Sequence, residues 1–175
     1  LFVLQHLEPI IDSLKQHTKL YIITSYDIRY KIEYKNCELI NIPIKRNPSL
    51  VLDFICFIYL IYLRLTLRPH KVLSFTSKAG LINALTFFLP GKNFHYFTGQ
   101  KWSLYSGFKR KLFKFFDRVI INFSFHTYCD SFSQAQYLFN QLHYKPTVIG
   151  SGSISGIDIE LFRKNKSPFE ELLSS

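Results

Sequence analysis

Apolar residues along this chain alternate between two periods. Leu4, Leu7, Ile10, Ile11 and Leu14 recur at helical spacing and predict an amphipathic helix ending near Lys15 to Thr18. Leu20 to Thr24 (LYIIT) is a short β-branched run that predicts a buried strand, and Glu38 to Ile44 (ELINIPI) alternates until Pro43 ends it or puts it on an edge. Asn47-Pro48-Ser49 is a turn and cap signal, after which Leu50 to Leu67 reads as a helix stopped by Pro69. Lys71 to Phe75 and Asn93 to Phe97 read as strands, and Lys78 to Leu89 between them reads as a helix capped by Thr76-Ser77. Further on, Gly107 to Arg118 predicts a helix, Val119 to Asn122 a strand, Thr127 to Cys129 a weaker strand, the stretch from the Ser131–Ser133 cap to Leu142 a helix, and Pro146 to Ile149 a last strand.

Strands alternating with helices of this length predict βαβ units: an α/β fold with a Rossmann-like parallel sheet and helices on both faces. The first element is a helix, whereas a doubly wound sheet opens on its central strand. Together with the absence of Met, this leads us to expect that the fold's first strand precedes Leu1.

Length and composition narrow the class. At 175 residues, 47% hydrophobic and 19% charged, with seven Gly and seven Pro, the chain is long and apolar enough for one domain with a sizeable core, not a disordered or linker segment. The net charge of +10 calls for an anionic partner: phosphate, nucleic acid or anionic lipid. Cys37, Cys56 and Cys129 are odd in number and far apart, and the six histidines show no metal-ligand spacing, so neither a disulfide frame nor a metal site is expected. The longest uninterrupted apolar run, Phe54 to Leu63, is about half the length of a membrane span, so no transmembrane helix is expected.

Three loops follow predicted strands, where open α/β sheets bind ligands. In Phe75 to Leu81, Lys78 and Gly80 at a helix start face a phosphate or belong to an ordinary capped helix. In His95 to Trp102, polar donors gather around Gly99 beside the only Trp, which suits a ligand loop or a connection whose Trp packs on the core. Gly150 to Gly156 (GSGSISG) is no dinucleotide fingerprint, since no helix pattern follows it directly. In the helix from Gly107, Phe108, Leu112, Phe115, Phe116 and Val119 form an apolar stripe. Lys109, Arg110, Lys111, Lys114 and Arg118 cover the rest, opposed by Asp117. Such a helix faces the core with a solvated basic side, or meets an anionic membrane.

Six stretches together resemble the N-terminal half of bacterial family 4 retaining glycosyltransferases, which build capsule, O-antigen (lipopolysaccharide) and lipid-linked oligosaccharides. They are Phe2 to Ile11, Ile42 to Asp53 (IPIKRNPSLVLD), Thr76 to Leu81 (TSKAGL), His95 to Trp102 (HYFTGQKW), Asp130 to Leu138 (DSFSQAQYL) and Gly150 to Phe162. The resemblance implies a GT-B fold. Residues 1–149 are then a Rossmann-like acceptor-side domain and 150–175 the segment crossing to a donor-binding domain absent from this sequence, so the chain alone is expected to be inactive. It implies that Lys78, Gly80, Thr98, Gly99, Gln100 and Arg46 line the acceptor side, and that Gly152, Ser153 and Gly156 form the interdomain loop. It further implies that Lys109, Arg110, Lys111 and Lys114 face an anionic membrane at the cytoplasmic side of the inner membrane. No residue is assigned as catalytic and no cofactor or metal is implied: the donor is a nucleotide sugar and the acceptor a lipid-linked saccharide. Many members carry His before the glycine where this chain has Thr98, which suits positioning better than proton transfer. The competing readings are a non-enzymatic basic module for RNA or anionic lipid, and an inactive gene remnant; no RRM, KH or helix-turn-helix signature supports nucleic acid.

Overall fold

The computed structural model describes residues 11–14, 16–25, 37–45 and 47–152. Its strands are β1 (Leu20–Thr24), β2 (Cys37–Asn41), β3 (Lys71–Phe75), β4 (Lys92–Phe97), β5 (His126–Cys129) and β6 (Thr147–Val148). Its helices are α1 (Leu50–Leu67), α2 (Ser77–Leu85), α3 (Gly107–Phe123) and α4 (Phe132–Leu142), with a 3-10 turn at Lys101–Leu104 and a helical stretch at 11–14. Every strand pairing is parallel: β1 with β2, and β3-β4-β5-β6 in chain order. The protein is thus an α/β, Rossmann-like assembly of parallel strands flanked by helices. Among the described residues no strand joins the two-stranded pair to β3.

The core lies between the larger sheet and its helices. Phe97 and Cys129 point into a buried cluster with Ala84 of α2, Ile120 of α3, and Ala135, Leu138 and Leu142 of α4. Trp102, from the 3-10 turn, closes that cluster. The other sheet face carries a row of rings, with Phe75, Tyr96 and Tyr128 in successive contact. A second cluster joins Ile42, Cys56 and Ile82, against which Ile23, Ile40 and Ile44 pack, and it seats β1 and β2 against α1 and α2.

α1 is fastened by a buried cation. Arg64 donates to the side chains of Thr86 (2.8 Å), Asn93 (2.7 Å) and Asn83 (3.3 Å), and to the carbonyls of Leu89, Pro90 and Gly91. Among the described residues no carboxylate takes part; burial therefore works against the charged form and pulls the guanidinium pKa down.

Three elements differ from the sequence expectation. Val119 to Asn122 is not a strand but the last turn of α3, because nothing at Arg118 breaks the helix and Ile120 is completely buried there. α2 stops at Leu85 rather than Leu89, where Thr86 turns its hydroxyl onto the Asn83 carbonyl at 2.7 Å. On α3 the inward stripe is Phe113, Phe116, Asp117, Val119, Ile120 and Ile121; Phe116 and Val119 turn inward as expected, whereas Phe108, Leu112 and Phe115 point outward. The first predicted helix lies mostly outside the described residues.

Candidate functional site

Parallel strands leave their carboxyl ends on one edge of the sheet, and the candidate loops all emerge there. After β3, Thr76 sits at φ 69° and ψ 144°, a region open to glycine and costly for a β-branched residue. Its side chain nevertheless caps α2, accepting weakly from the Ala79 amide at 3.5 Å. After β4, Thr98 and Gly99 are exposed, and Gly99 has φ 144° with open space around it. After β5 comes Asp130, and after β6 the turn Ile149 to Gly152. Gly152 has φ 94°, and a Cβ there would stand 2.7 Å from the Asp130 carbonyl, so only glycine lets this turn close on the end of β5.

The register of β4 and β5 makes these loops neighbours. Phe97 pairs with Cys129, so Thr98 and Asp130 leave the two strands side by side. Two residues earlier, on the same face, lies Tyr96. Its ring is 1% exposed, and its hydroxyl is buried without a hydrogen-bond partner among the described residues. Burial, and then the pull of the hydroxyl toward the nearby Asp130 carboxylate, short of a well-formed hydrogen bond, push the phenol well above its usual range. The side-chain nitrogen of Gln100 is also buried and unpaired. A buried phenol without a well-formed hydrogen bond and a buried unpaired amide nitrogen in one strand-end segment are unusual, since buried polar groups nearly always find partners.

Other expected site residues are occupied differently. Lys78 does not project freely: its Nζ lies 2.7 Å from both Asp53 Oδ1 and the Asn47 carbonyl, tying the start of α2 to the start of α1. Gly80 is no phosphate cradle. It is buried beneath His95, whose ring a Cβ would meet at 2.5 Å, so its role is packing. Of the residues expected at the membrane, Lys109 and Lys111 are exposed. Arg110 and Lys114 are not free: both reach Gln141 Oε1, and both lie over the Trp102 ring. Their charges are held by an amide and an aromatic face. Arg46, Ser153 and Gly156 lie outside the described residues.

His95 and Trp102 belong to the core. His95 bonds the Ser74 hydroxyl at 2.9 Å, and burial pushes its pKa down to about 4, so it is neutral at pH 7. Trp102 stacks on Tyr137 and donates to Asp117 at 2.7 Å. Among the described residues no group of three His, Cys, Asp or Glu side chains could hold a metal ion. A shallow depression of about 330 Å³ lined by Phe87, Lys92, Asn122 and Phe125 lies at the opposite, amino end of β4.

Sequence reasoning passed over Thr76, Tyr96 and Asp130 as individual site residues. Tyr96 had a signal, its two-residue offset from Thr98 on one strand face; Asp130 needed the β4–β5 register. No family model matches this chain, and neither a curated protein nor a solved structure matches it.

Proposed function

We propose that this chain is the acceptor-side portion of a retaining glycosyltransferase of GT-B type. In this reading a hexose or N-acetylhexosamine passes from a nucleotide sugar to a polyprenyl-diphosphate-linked saccharide, in cell-surface glycan synthesis at the cytoplasmic face of the inner membrane. The observation that supports it most is the polar group at the carboxyl edge: exposed Thr98, the unpaired amide nitrogen of Gln100 and the unpaired Tyr96 hydroxyl beside Asp130. Saccharides are recognised by donors and acceptors fixed in place beforehand, and Gly99 leaves room for close approach.

In this mechanism the acceptor hydroxyl attacks the anomeric carbon from the face that the nucleoside diphosphate leaves. The departing phosphate oxygen takes the hydroxyl proton, so the chain supplies no base. Its residues orient the acceptor: Thr98 and Gln100 hydrogen-bond sugar hydroxyls, and Asp130 accepts from one and fixes its direction. The turn through Gly152 carries the chain toward the donor-binding part.

The test is a ¹⁵N chemical-shift titration of the chain with a short-chain polyprenyl-diphosphate disaccharide. Shifts grouped at residues 76–79, 98–100, 130–131 and 150–152, weakened by Thr98→Val, are expected. Shifts confined to the amino ends of the strands, or binding of single-stranded RNA with no response to the saccharide, would refute the proposal.

A further inference from the structure

The outer face of α1 is chemically out of place on a surface. Val51, Phe54, Ile55, Ile58, Tyr62 and Leu65 recur at helical spacing and are all exposed, Phe54 by 63% and Tyr62 by 58%. No charged side chain interrupts them. The helix is long and apolar enough to cross a membrane, yet only 17% of it is buried. This differs from the expectation drawn from Phe54 to Leu63 alone, because the helix continues through Asp53 and Arg64 without a break. An uninterrupted apolar stripe of this length is not ordinary solvent-facing surface.

Two observations decide how such a stripe meets its partner. Arg64 projects from the inward side of α1 into a shell of side-chain and carbonyl oxygens on α2, β4 and the loop between them. Pulling α1 through a bilayer would strip the guanidinium of all of them and drag it into hydrocarbon, so α1 stays with its domain and meets lipid lying flat. The only acid on the helix, Asp53, is already paired with Lys78. Exposed cations stand beyond both ends of the stripe, Lys45 before it and Arg68 and Lys71 after it. The pattern is that of an interfacial helix: apolar along its length, positive at the ends, on a chain of net charge +10. The same charge opposes a second copy of the chain, whose like-charged flanks would be brought together.

We infer that the outer face of α1 seats on an anionic lipid bilayer, parallel to its plane, with Lys45, Arg68 and Lys71 at the headgroups. The inference rests on α1 and its surroundings and needs no transferase chemistry. It also moves the membrane face from α3, where Arg110 and Lys114 are engaged, to α1.

The experiment is co-sedimentation of the chain with vesicles containing about one-third phosphatidylglycerol in phosphatidylcholine, against vesicles of phosphatidylcholine alone. We expect about tenfold stronger partitioning onto the anionic vesicles, and about a tenfold loss on Phe54→Ser with Ile58→Ser, with the circular dichroism spectrum and Tm retained. A Tyr62→Trp variant gives an independent reading that needs no loss of binding. Its new indole should be quenched by brominated lipid, whereas Trp102 in the parent chain, buried in the core, should not. The inference is overturned by absence of binding to anionic vesicles, by a double variant that binds as the parent does, or by a Tyr62→Trp variant whose added fluorescence brominated lipid leaves unquenched. It is equally overturned if the parent is a dimer without lipid that the double variant converts to monomer, which would assign the face to a second copy. Sugar transfer enters none of these readouts, so failure here leaves the function proposed above standing, and failure of that function leaves this inference standing.

Discussion

Trp102 Nε1 and Asp117 Oδ2 are joined by a 2.7 Å hydrogen bond inside the core, with both residues 1% exposed. The carboxyl is held against its preference: burial pushes its pKa up to about 6, and the Trp102 bond offsets only part of that. Between the unfolded value near 3.8 and about 6 the folded chain binds the extra proton. Asp117 therefore favours the fold fully below pH 4, and that contribution is lost as pH rises through 6. Asp117→Asn keeps an acceptor for Trp102 and removes the charge. We expect it to stabilise the protein by about 1–2 kcal/mol at pH 7–8 and not at all near pH 4, read from urea unfolding at several pH values.

His95 runs the other way. Its folded pKa of about 4 lies below the unfolded value of 6.5, so its contribution is present above pH 6.5 and is lost as pH falls toward 4. The two groups nearly cancel across that window. In the Asp117→Asn background the His95 slope stands uncovered, and stability should fall by about 3 kcal/mol between pH 7 and pH 4 from this group. Gly80→Ala tests the same packing sterically. Its methyl would stand 2.5 Å from the His95 ring and 3.0 Å from Ile120, and a loss of about 2–3 kcal/mol is expected in chemical denaturation.

At Thr76 a strained backbone and a helix cap occupy one residue. Thr76→Gly relieves a conformation costing about 1–3 kcal/mol and gives up a weak cap worth a few tenths relative to Gly. A net gain of about 1 kcal/mol is expected in guanidinium unfolding, with weaker saccharide binding in the ¹⁵N titration if the strain serves the site.

Tyr96→Phe separates packing from recognition. Removing a buried hydroxyl without a partner should leave stability unchanged or raise it by about 1 kcal/mol. If that hydroxyl serves the acceptor, the same variant should weaken saccharide binding several-fold by calorimetry. A stabilised protein with unaltered affinity would confine Tyr96 to the core.

The hydrophobic period made the parallel α/β plan legible. Leu50 to Leu67 and Lys71 to Phe75 have the bounds expected, because Pro48-Ser49 and Pro69 punctuate them. The Ser131 cap also holds, its hydroxyl accepting from the Gln134 amide at 3.2 Å. Legibility failed where one residue type served two ends. Val119-Ile120-Ile121 is β-branched and reads as strand, but it continues a helix already formed. Asp117, a carboxylate on the inward stripe of α3, disguised that stripe and shifted the apparent apolar face onto Phe108, Leu112 and Phe115. Of the candidate site, the loops after the strands were legible from their turn residues. The fates of Lys78, Arg110 and Lys114 were not, because their partners Asp53 and Gln141 lie 25 to 31 positions away.

Arg64 also sets an order of events during folding. Its oxygen acceptors all lie between Asn83 and Gly91 or on Asn93, downstream of α1. Until α2, the turn after it and the start of β4 have come together, water solvates this guanidinium better than the half-built protein does. We therefore expect α1 to dock late in folding, its apolar face uncovered until then. Arg64→Met should accelerate unfolding while leaving the refolding rate nearly unchanged, a φ-value near zero in stopped-flow chevrons.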